Sequence, residues 1–191
     1  MMDRKRTFWE LLKPEHAKAK AFCRKLCRNR DEGDDLYQTA LLKALKNFGQ
    51  LREDSLFKSW LYRIIINAFK NSVRSSLWKR MVPMTKAVEE TQGAKSNQAH
   101  LAAKARVEIA FKAINAKERA LITLFELEGW SVAELAGMHG KKEGAIKAQL
   151  SRIRSKMRQA LVKHLGSDIK TTVNLLNREA KICVAAKPLK D

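Results

Sequence analysis

A chain of 191 residues has room for one or two small domains and excludes a large multidomain enzyme. Its 39 Lys and Arg against 20 Asp and Glu leave a formal net charge of +19, which favours a polyanionic partner, either nucleic acid or an anionic membrane surface. An apolar share of 45% excludes wholesale disorder, and no stretch reaches the ~18 uncharged apolar residues of a membrane span.

Three prolines and eight glycines point to long helices with few turns, and helical periodicity dominates throughout. The fold class expected is all-α. The N-terminus, Met1 to Arg6, is charged and leads into no apolar run, so no signal peptide is expected. Cys23, Cys27 and Cys183 are too few and too unevenly spaced for a disulfide framework. Together these features predict a reduced, cytoplasmic protein without membrane insertion.

A short helix is predicted over Phe8 to Leu12, and another from Pro14 to about residue 28, with Ala17, Ala21 and Cys27 among its apolar positions. In the next helix Leu36, Tyr37, Ala40, Leu41, Ala44, Leu45 and Phe48 form an apolar stripe, and Gly49 follows as a stop. Ser55 then caps a third helix to about Ser75, with Phe57, Leu61, Ile64, Ile65, Ala68 and Phe69 facing inward. These helices predict one domain over residues 1–80.

Residues 81–98 lose the periodicity and gain Pro, Gly, Thr, Gln and Ser, which predicts a flexible linker. Fully extended, its 18 or so residues reach at most ~60 Å. A second helical domain is expected over residues 99–165: helices from about Ala99 to Asn115, from Ala116 to Glu128 with a stop at Gly129, from Val132 to Met138, and from Glu143 to about Leu165. The tail, 166–191, places Ile169, Val173, Leu176 and Ala180 at helical spacing, as a last amphipathic helix would.

Charge separates these parts. Residues 1–80 hold 19 basic and 9 acidic side chains, a net +10. Residues 106–165 hold 12 and 6, and the whole of that excess lies in 139–158, with seven basic residues and one acid. Concentrated on one helix, such an excess marks a binding face more often than a solubility device.

The sharpest motif runs from Ser131 to Arg158. Ser131 and Glu134 have capping-box spacing, and Leu135 and Met138 point inward before a break at His139-Gly140. In the following helix Ile146, Leu150, Ile153, Met157 and Leu161 form the core side, leaving Lys147, Ala148, Ser151, Arg152, Arg154 and Arg158 outward. A short helix, a glycine turn and a basic helix with small residues near its start make a helix-turn-helix. The small residues permit close approach to base edges, and the basic ones reach phosphates and guanines. The plainer alternative is a solvated basic helix in an ordinary bundle.

A second polar row lies on the third helix, where Arg63, Asn67, Lys70 and Arg74 recur at spacings of four, three and four, with Trp60 one turn ahead and Asn71 alongside. Stacking, phosphate attraction and amide hydrogen bonds together suit single-stranded nucleic acid. A solvated face with Trp60 in the core is the competing reading. On the second helix, Asp34, Asp35, Gln38 and Thr39 either answer the positive end of the helix dipole or, with Leu42 beside them, form a protein-binding patch.

Searches for catalytic residues return none. Gly140-Lys141 lacks the first glycine and the Ser/Thr of a phosphate loop, which are here Leu135 and Lys142, and there is no HExxH, GxSxG or GxGxxG. Cys23 and Cys27, with His16, could share a zinc, but two core or half-core thiols are the simpler reading, so neither metal nor cofactor is expected.

Two motif sets, in this order, resemble the extracytoplasmic-function (ECF) group of the sigma-70 family of bacterial RNA polymerase sigma factors. The first is Asp34-Asp35-Leu36-Tyr37-Gln38-Thr39 together with the segment Phe57 to Asn67, similar to region 2 of that group. The second is Lys117-Glu118-Arg119, Leu127 to Ser131, Glu134-Leu135-Ala136, Gly144 to Lys147 and Ser151 to Arg154, similar to region 4. The resemblance covers about two-thirds of the chain.

It implies a transcription-initiation subunit, not an enzyme, with core RNA polymerase and promoter DNA, duplex and melted, as partners, and an anti-sigma factor as inhibitor. Asp34, Asp35, Gln38, Thr39 and Leu42 would dock on the polymerase's largest subunit. Leu51, Trp60, Arg63, Asn67, Lys70, Asn71 and Arg74 would meet the melted non-template strand. Lys147, Ala148, Ser151, Arg152 and Arg154 would face the upstream promoter element.

The chain also departs from that group. Leu51 stands where many members carry an aromatic residue that helps capture a flipped base, and Ala145, Ala148 and Gln149 replace the usual Thr, Ser and Arg of the recognition helix. The target sequence is therefore not transferable from a relative. Two other readings compete: a helix-turn-helix regulator that binds duplex without polymerase, and a basic RNA-binding adaptor.

Overall fold

Large apolar side chains at helical spacing set the register of each element. The computed structural model describes residues 7–27, 29–81 and 98–165, all of them helix or short connections with no strand among the described residues. Helix α1 (Phe8–Leu12) starts on a full capping box, Thr7 with Glu10, and buries Phe8, Leu11 and Leu12. Helix α2 (His16–Leu26) follows a turn that contains Pro14 and buries Ala19, Phe22, Cys23 and Leu26. The expected Ala17 is instead exposed and Ala21 half-buried. Phe22 and Leu26 set the phase because their burial is worth far more than an alanine's.

Helix α3 (Arg30–Lys46) is capped by Asn29, whose side chain accepts from the Glu32 N–H at 2.8 Å. It buries Gly33, Leu36, Tyr37, Ala40 and Ala44, while the expected Leu41 and Phe48 are half-buried and Leu45 is exposed. Tyr37 shares a 2.8 Å hydrogen bond with His16 Nδ1, tying α3 to the start of α2. Gly33 sits at the crossing of these two helices. A Cβ there would lie 2.5 Å from the Arg24 Cα and 2.9 Å from its backbone nitrogen, so only glycine allows so close an approach.

Two single turns of 3-10 helix, Phe48–Gln50 and Asp54–Leu56, connect to helix α4 (Phe57–Met81). Ser55 therefore lies inside the second turn rather than capping α4, and its hydroxyl donates to Glu53. In α4 the predicted Phe57, Leu61, Ile65, Ala68 and Phe69 are buried, but Ile64 is half-buried and Tyr62 and Ile66 are buried in addition. The extra burial follows from helices α6 (Ala116–Glu126) and α7 (Val132–His139), which pack on α4.

The remaining helices are α5 (Gln98–Lys112) and α8 (Glu143–Leu165). Among the described residues, those up to 81 together with 116–150 form one compact unit, and 98–115 with 151–165 another. In the first, the core runs through Phe22, Leu26, Leu61, Tyr62, Ile65, Leu121, Leu124 and Leu135, each no more than 2% exposed. In the second, Ala110, Ile114 and Ile153 are buried. Most of the expected linker, the whole expected tail helix and Cys183 lie outside the described residues.

Candidate nucleic-acid interface

The polar row of α4 survives folding as a surface. Arg63, Asn67, Asn71 and Arg74 are exposed, Lys70 is half-buried, and the helix turns its apolar side inward between them. Trp60 is half-buried at the head of the row, with its ring 5.9 Å from Phe57 and 6.5 Å from Phe48. Phe48 and Phe57 also meet Phe8 edge-on, at 5.4 and 5.7 Å, so Trp60 rests on an aromatic base. A ring held this way has little side-chain freedom left to lose on binding. Leu51 is only 4% exposed: its side chain anchors the connection between the two 3-10 turns in the core and does not stand on the surface.

The helix-turn-helix is built as its sequence dictates. The Ser131 hydroxyl accepts from the Glu134 N–H at 3.1 Å, and Glu134 Oε2 accepts from the Ser131 N–H at 2.8 Å, closing the capping box. The Ser131 N–H and the Ser131 hydroxyl, which also donates to Glu134 Oε2 at 2.8 Å, hold the Glu134 carboxyl below the usual range, with Lys58 adding to them. Helix α7 ends on Gly140 at φ +61°, and the Lys141 N–H reaches back to the Ala136 carbonyl at 3.0 Å. Open space surrounds the missing Cβ, so glycine is needed here for its backbone angle alone. Lys147, Ala148, Ser151, Arg152 and Arg154 are all exposed along α8, while Ile146, Leu150 and Ile153 are buried. Lys147 Nζ stands 3.9 Å from Glu143, one turn earlier.

On α3, Asp35, Gln38, Thr39 and Leu42 are exposed, and Leu42 is 69% so. Asp34 differs from them. Its carboxylate takes a two-point contact from Arg24, 2.7 Å from Nε and 2.8 Å from Nη2, with Lys20 at 3.7 Å. The Arg24 hydrogen bonds hold its carboxyl below the usual range. Asp34 thus clamps α2 to α3 one residue away from Gly33.

Two comparisons decide the family. The sigma-70 region 2 family matches residues 11–79, and the sigma-70 region 4 family matches residues 110–157. The ECF sigma-E factor of Escherichia coli K12 is 31% identical over 131 residues, covering 63% of this chain and 69% of that protein. The chain belongs to the ECF subfamily of sigma-70 factors.

The ECF factor EcfG of Rhodopseudomonas palustris is 30% identical to this sigma factor, over 72% of this chain and 76% of its own. SigM of Mycobacterium tuberculosis is 27% identical over 154 residues, 81% of this chain and 76% of that one. The fold is shared with the Bartonella quintana sigma factor RpoE, solved in complex with the anti-sigma factor NepR, at a TM-score of 0.57 and 24% identity over 83% of this chain and 98% of that one. ECF sigma factors act in transcription initiation.

The sequence reading of this sigma factor missed three features. The Arg24–Asp34 clamp was hidden because partners ten residues apart on different helices leave no periodic signal. Gly33 could have been suspected as a lone glycine inside a helical pattern, which asks for a packing reason. Trp130 stands in the sequence only as part of a motif, with no core signal of its own. It is 3% exposed, its ring 5.0 Å from Tyr62, with the Lys58 ammonium 4.4 Å above it. No group of His, Cys, Asp and Glu suited to a metal occurs among the described residues, and burial pushes the Cys27 thiol up to about 11.

Proposed function

We propose that this sigma factor brings core RNA polymerase to promoters by reading duplex DNA with residues 99–165 and holding the opened strand with residues 1–80. The observation that carries the reading is the exposed α4 row, Arg63, Asn67, Asn71 and Arg74, running from a ring-supported Trp60 on a helix whose other side is core. Unstacking a base costs a few kcal/mol, and stacking on an aromatic side chain returns ~1–3 kcal/mol. The strand-holding surface therefore opens DNA poorly by itself, and binding to polymerase supplies the difference.

In this reading Asp35, Gln38, Thr39 and Leu42 meet the polymerase, and Asp34 acts through Arg24 by fixing the helix that presents them. Lys147, Ala148, Ser151 and Arg152 meet base edges and phosphates of the upstream element, and Arg154 the backbone. Leu51 supports the connection beside the captured base. The protein performs no catalysis, works in the cytoplasm beside the polymerase, and is restrained by an anti-sigma factor, the class of partner with which the Bartonella quintana RpoE was solved in complex. No helix of the described residues is long and apolar enough to cross a membrane.

Purified protein added to core polymerase tests this. Promoter-dependent transcripts are expected, and Asn67→Ala lowers open-complex formation, read by permanganate reactivity, while leaving polymerase binding unchanged. Failure of the wild-type protein to associate with core polymerase refutes the reading. Specific duplex binding without polymerase would favour a stand-alone regulator.

A further inference from the structure

One exposed aromatic side chain belongs to neither the α4 row nor the α3 patch. Trp9, on α1, is 59% exposed, whereas Phe8, Leu11 and Leu12 of the same helix are buried. That burial fixes the rotation of α1 and the Thr7–Glu10 box fixes its start, so the core itself holds the indole outward.

Rings join Trp9 to Trp60. Trp9 meets Phe8 edge-on at 5.2 Å, Phe8 meets Phe57 at 5.7 Å, and Phe57 lies 5.9 Å from Trp60. The two indole centroids therefore lie no more than ~17 Å apart, on one aromatic cluster. A stacked strand rises ~3.4 Å per nucleotide, so about five nucleotides span that distance.

The surroundings of the ring suit a nucleotide. Lys13 is exposed and follows Trp9 by four residues of helical backbone, its N–H bonded to the Trp9 carbonyl at 3.0 Å, which places the two residues on one side of α1. The α4 row has the same pairing of ring and cation, Trp60 with Arg63 one turn on. Glu10, the one acid of α1, is turned back to Thr7, whose N–H and hydroxyl donate to it at 2.7 and 2.8 Å. A protein partner needs a patch, with ~800 Å² covered on each side, but Trp9 is the one large apolar side chain that α1 exposes. Base stacking needs a single ring face.

We propose that Trp9 is a second stacking platform for the opened strand, taking an unpaired base within about five nucleotides of the one on Trp60 while Lys13 meets an adjoining phosphate. The assignment rests on the reading of α4 as the strand-holding surface.

The test uses holoenzyme, this sigma factor with core polymerase, at a promoter it transcribes. 5-Iodouracil, which on irradiation couples to an aromatic ring stacked on it, is placed singly along the opened strand, and the joined peptides are identified by mass analysis. Coupling to the α4 peptide containing Trp60 is expected, and coupling to the peptide containing Trp9 from a site within about five nucleotides of it. An α4 product without a Trp9 product overturns the second platform and leaves the strand-holding reading intact. Loss of both overturns both.

Open-complex lifetime under heparin challenge gives a second readout. Trp9→Ala should shorten it about fivefold or more, Trp9→Phe should retain most of it, and Lys13→Gln should lower its salt slope by about one unit. Affinity for core polymerase should stay at the wild-type value. An unchanged lifetime in Trp9→Ala, or a Trp9→Phe protein as poor as the alanine variant, overturns the proposal. Weaker core binding by Trp9→Ala also overturns it, by giving the ring to polymerase, as does a dimer of the free protein that this variant dissociates.

Discussion

Gly33→Ala is the most exacting test of how this chain packs α3 against α2. The new methyl group would lie 2.5 Å from the Arg24 Cα and 2.9 Å from the Arg24 nitrogen, where ordinary contact begins near 3.4 Å. Backbone atoms of a helix cannot swing aside, so α2 and α3 must part by about 1 Å, loosening the packing between the buried faces of the two helices. Overpacking of this kind costs as much as ~3 kcal/mol, and the better helix propensity of alanine returns ~1 kcal/mol. The net loss of ~2 kcal/mol should lower the urea midpoint by roughly 1 M at a typical slope of ~2 kcal/mol/M, with the slope unchanged.

Arg24→Ala should not rescue the variant, because the clash is with main-chain atoms. A midpoint equal to or above wild type would refute the reasoning, and rescue by Arg24→Ala would show that the Arg24 Cγ, 2.9 Å away, decides instead.

Further predictions concern the helix-turn-helix. Ser131→Ala removes the α7 cap and should cost ~1 kcal/mol, read as a fall in Tm of roughly 2–4 °C. Burial, aided by Lys141, Arg63 and Lys117, holds His139 below its ordinary value of 6.5. The folded protein therefore binds that proton less readily than the unfolded chain, so this group's contribution is complete above pH 6.5 and is lost as pH falls toward its lowered value. Urea midpoints from pH 8 to 5 should show that decline, and His139→Gln should reduce it. Lys147→Ala should weaken upstream footprinting of the polymerase complex and reduce the salt slope by about one unit; an unchanged footprint would count against the recognition helix.

Local signals were legible in the sequence wherever one segment contains both halves of the interaction. The Ser131–Glu134 box, the stop at Gly140 and the full extent of α8 are of that kind, since cap, turn and periodicity are adjacent in the chain. The α4 row was legible because its residues share one helix. Burial of Tyr62 and Ile66 was not, because it depends on α6 and α7, more than fifty residues away. Ser55 was misplaced as a cap because the 3-10 turn before α4 has no periodic signature of its own. Leu51 could be aligned with an exposed aromatic by position alone, and only packing reveals that a leucine there is drawn inward.

The aromatic base under Trp60 bears on the thermodynamics of strand capture. Because Phe48 and Phe57 contact the indole, with Phe8 packed against both, and Leu51 pins the adjoining connection, little of that surface would have to become ordered under the proposed capture of a base. Preorganisation of this kind spares the entropic cost of immobilising side chains at the moment of encounter. Loosening the first helix, by Phe8→Ala for instance, would thus be felt as faster strand escape, although Phe8 is itself 4% exposed.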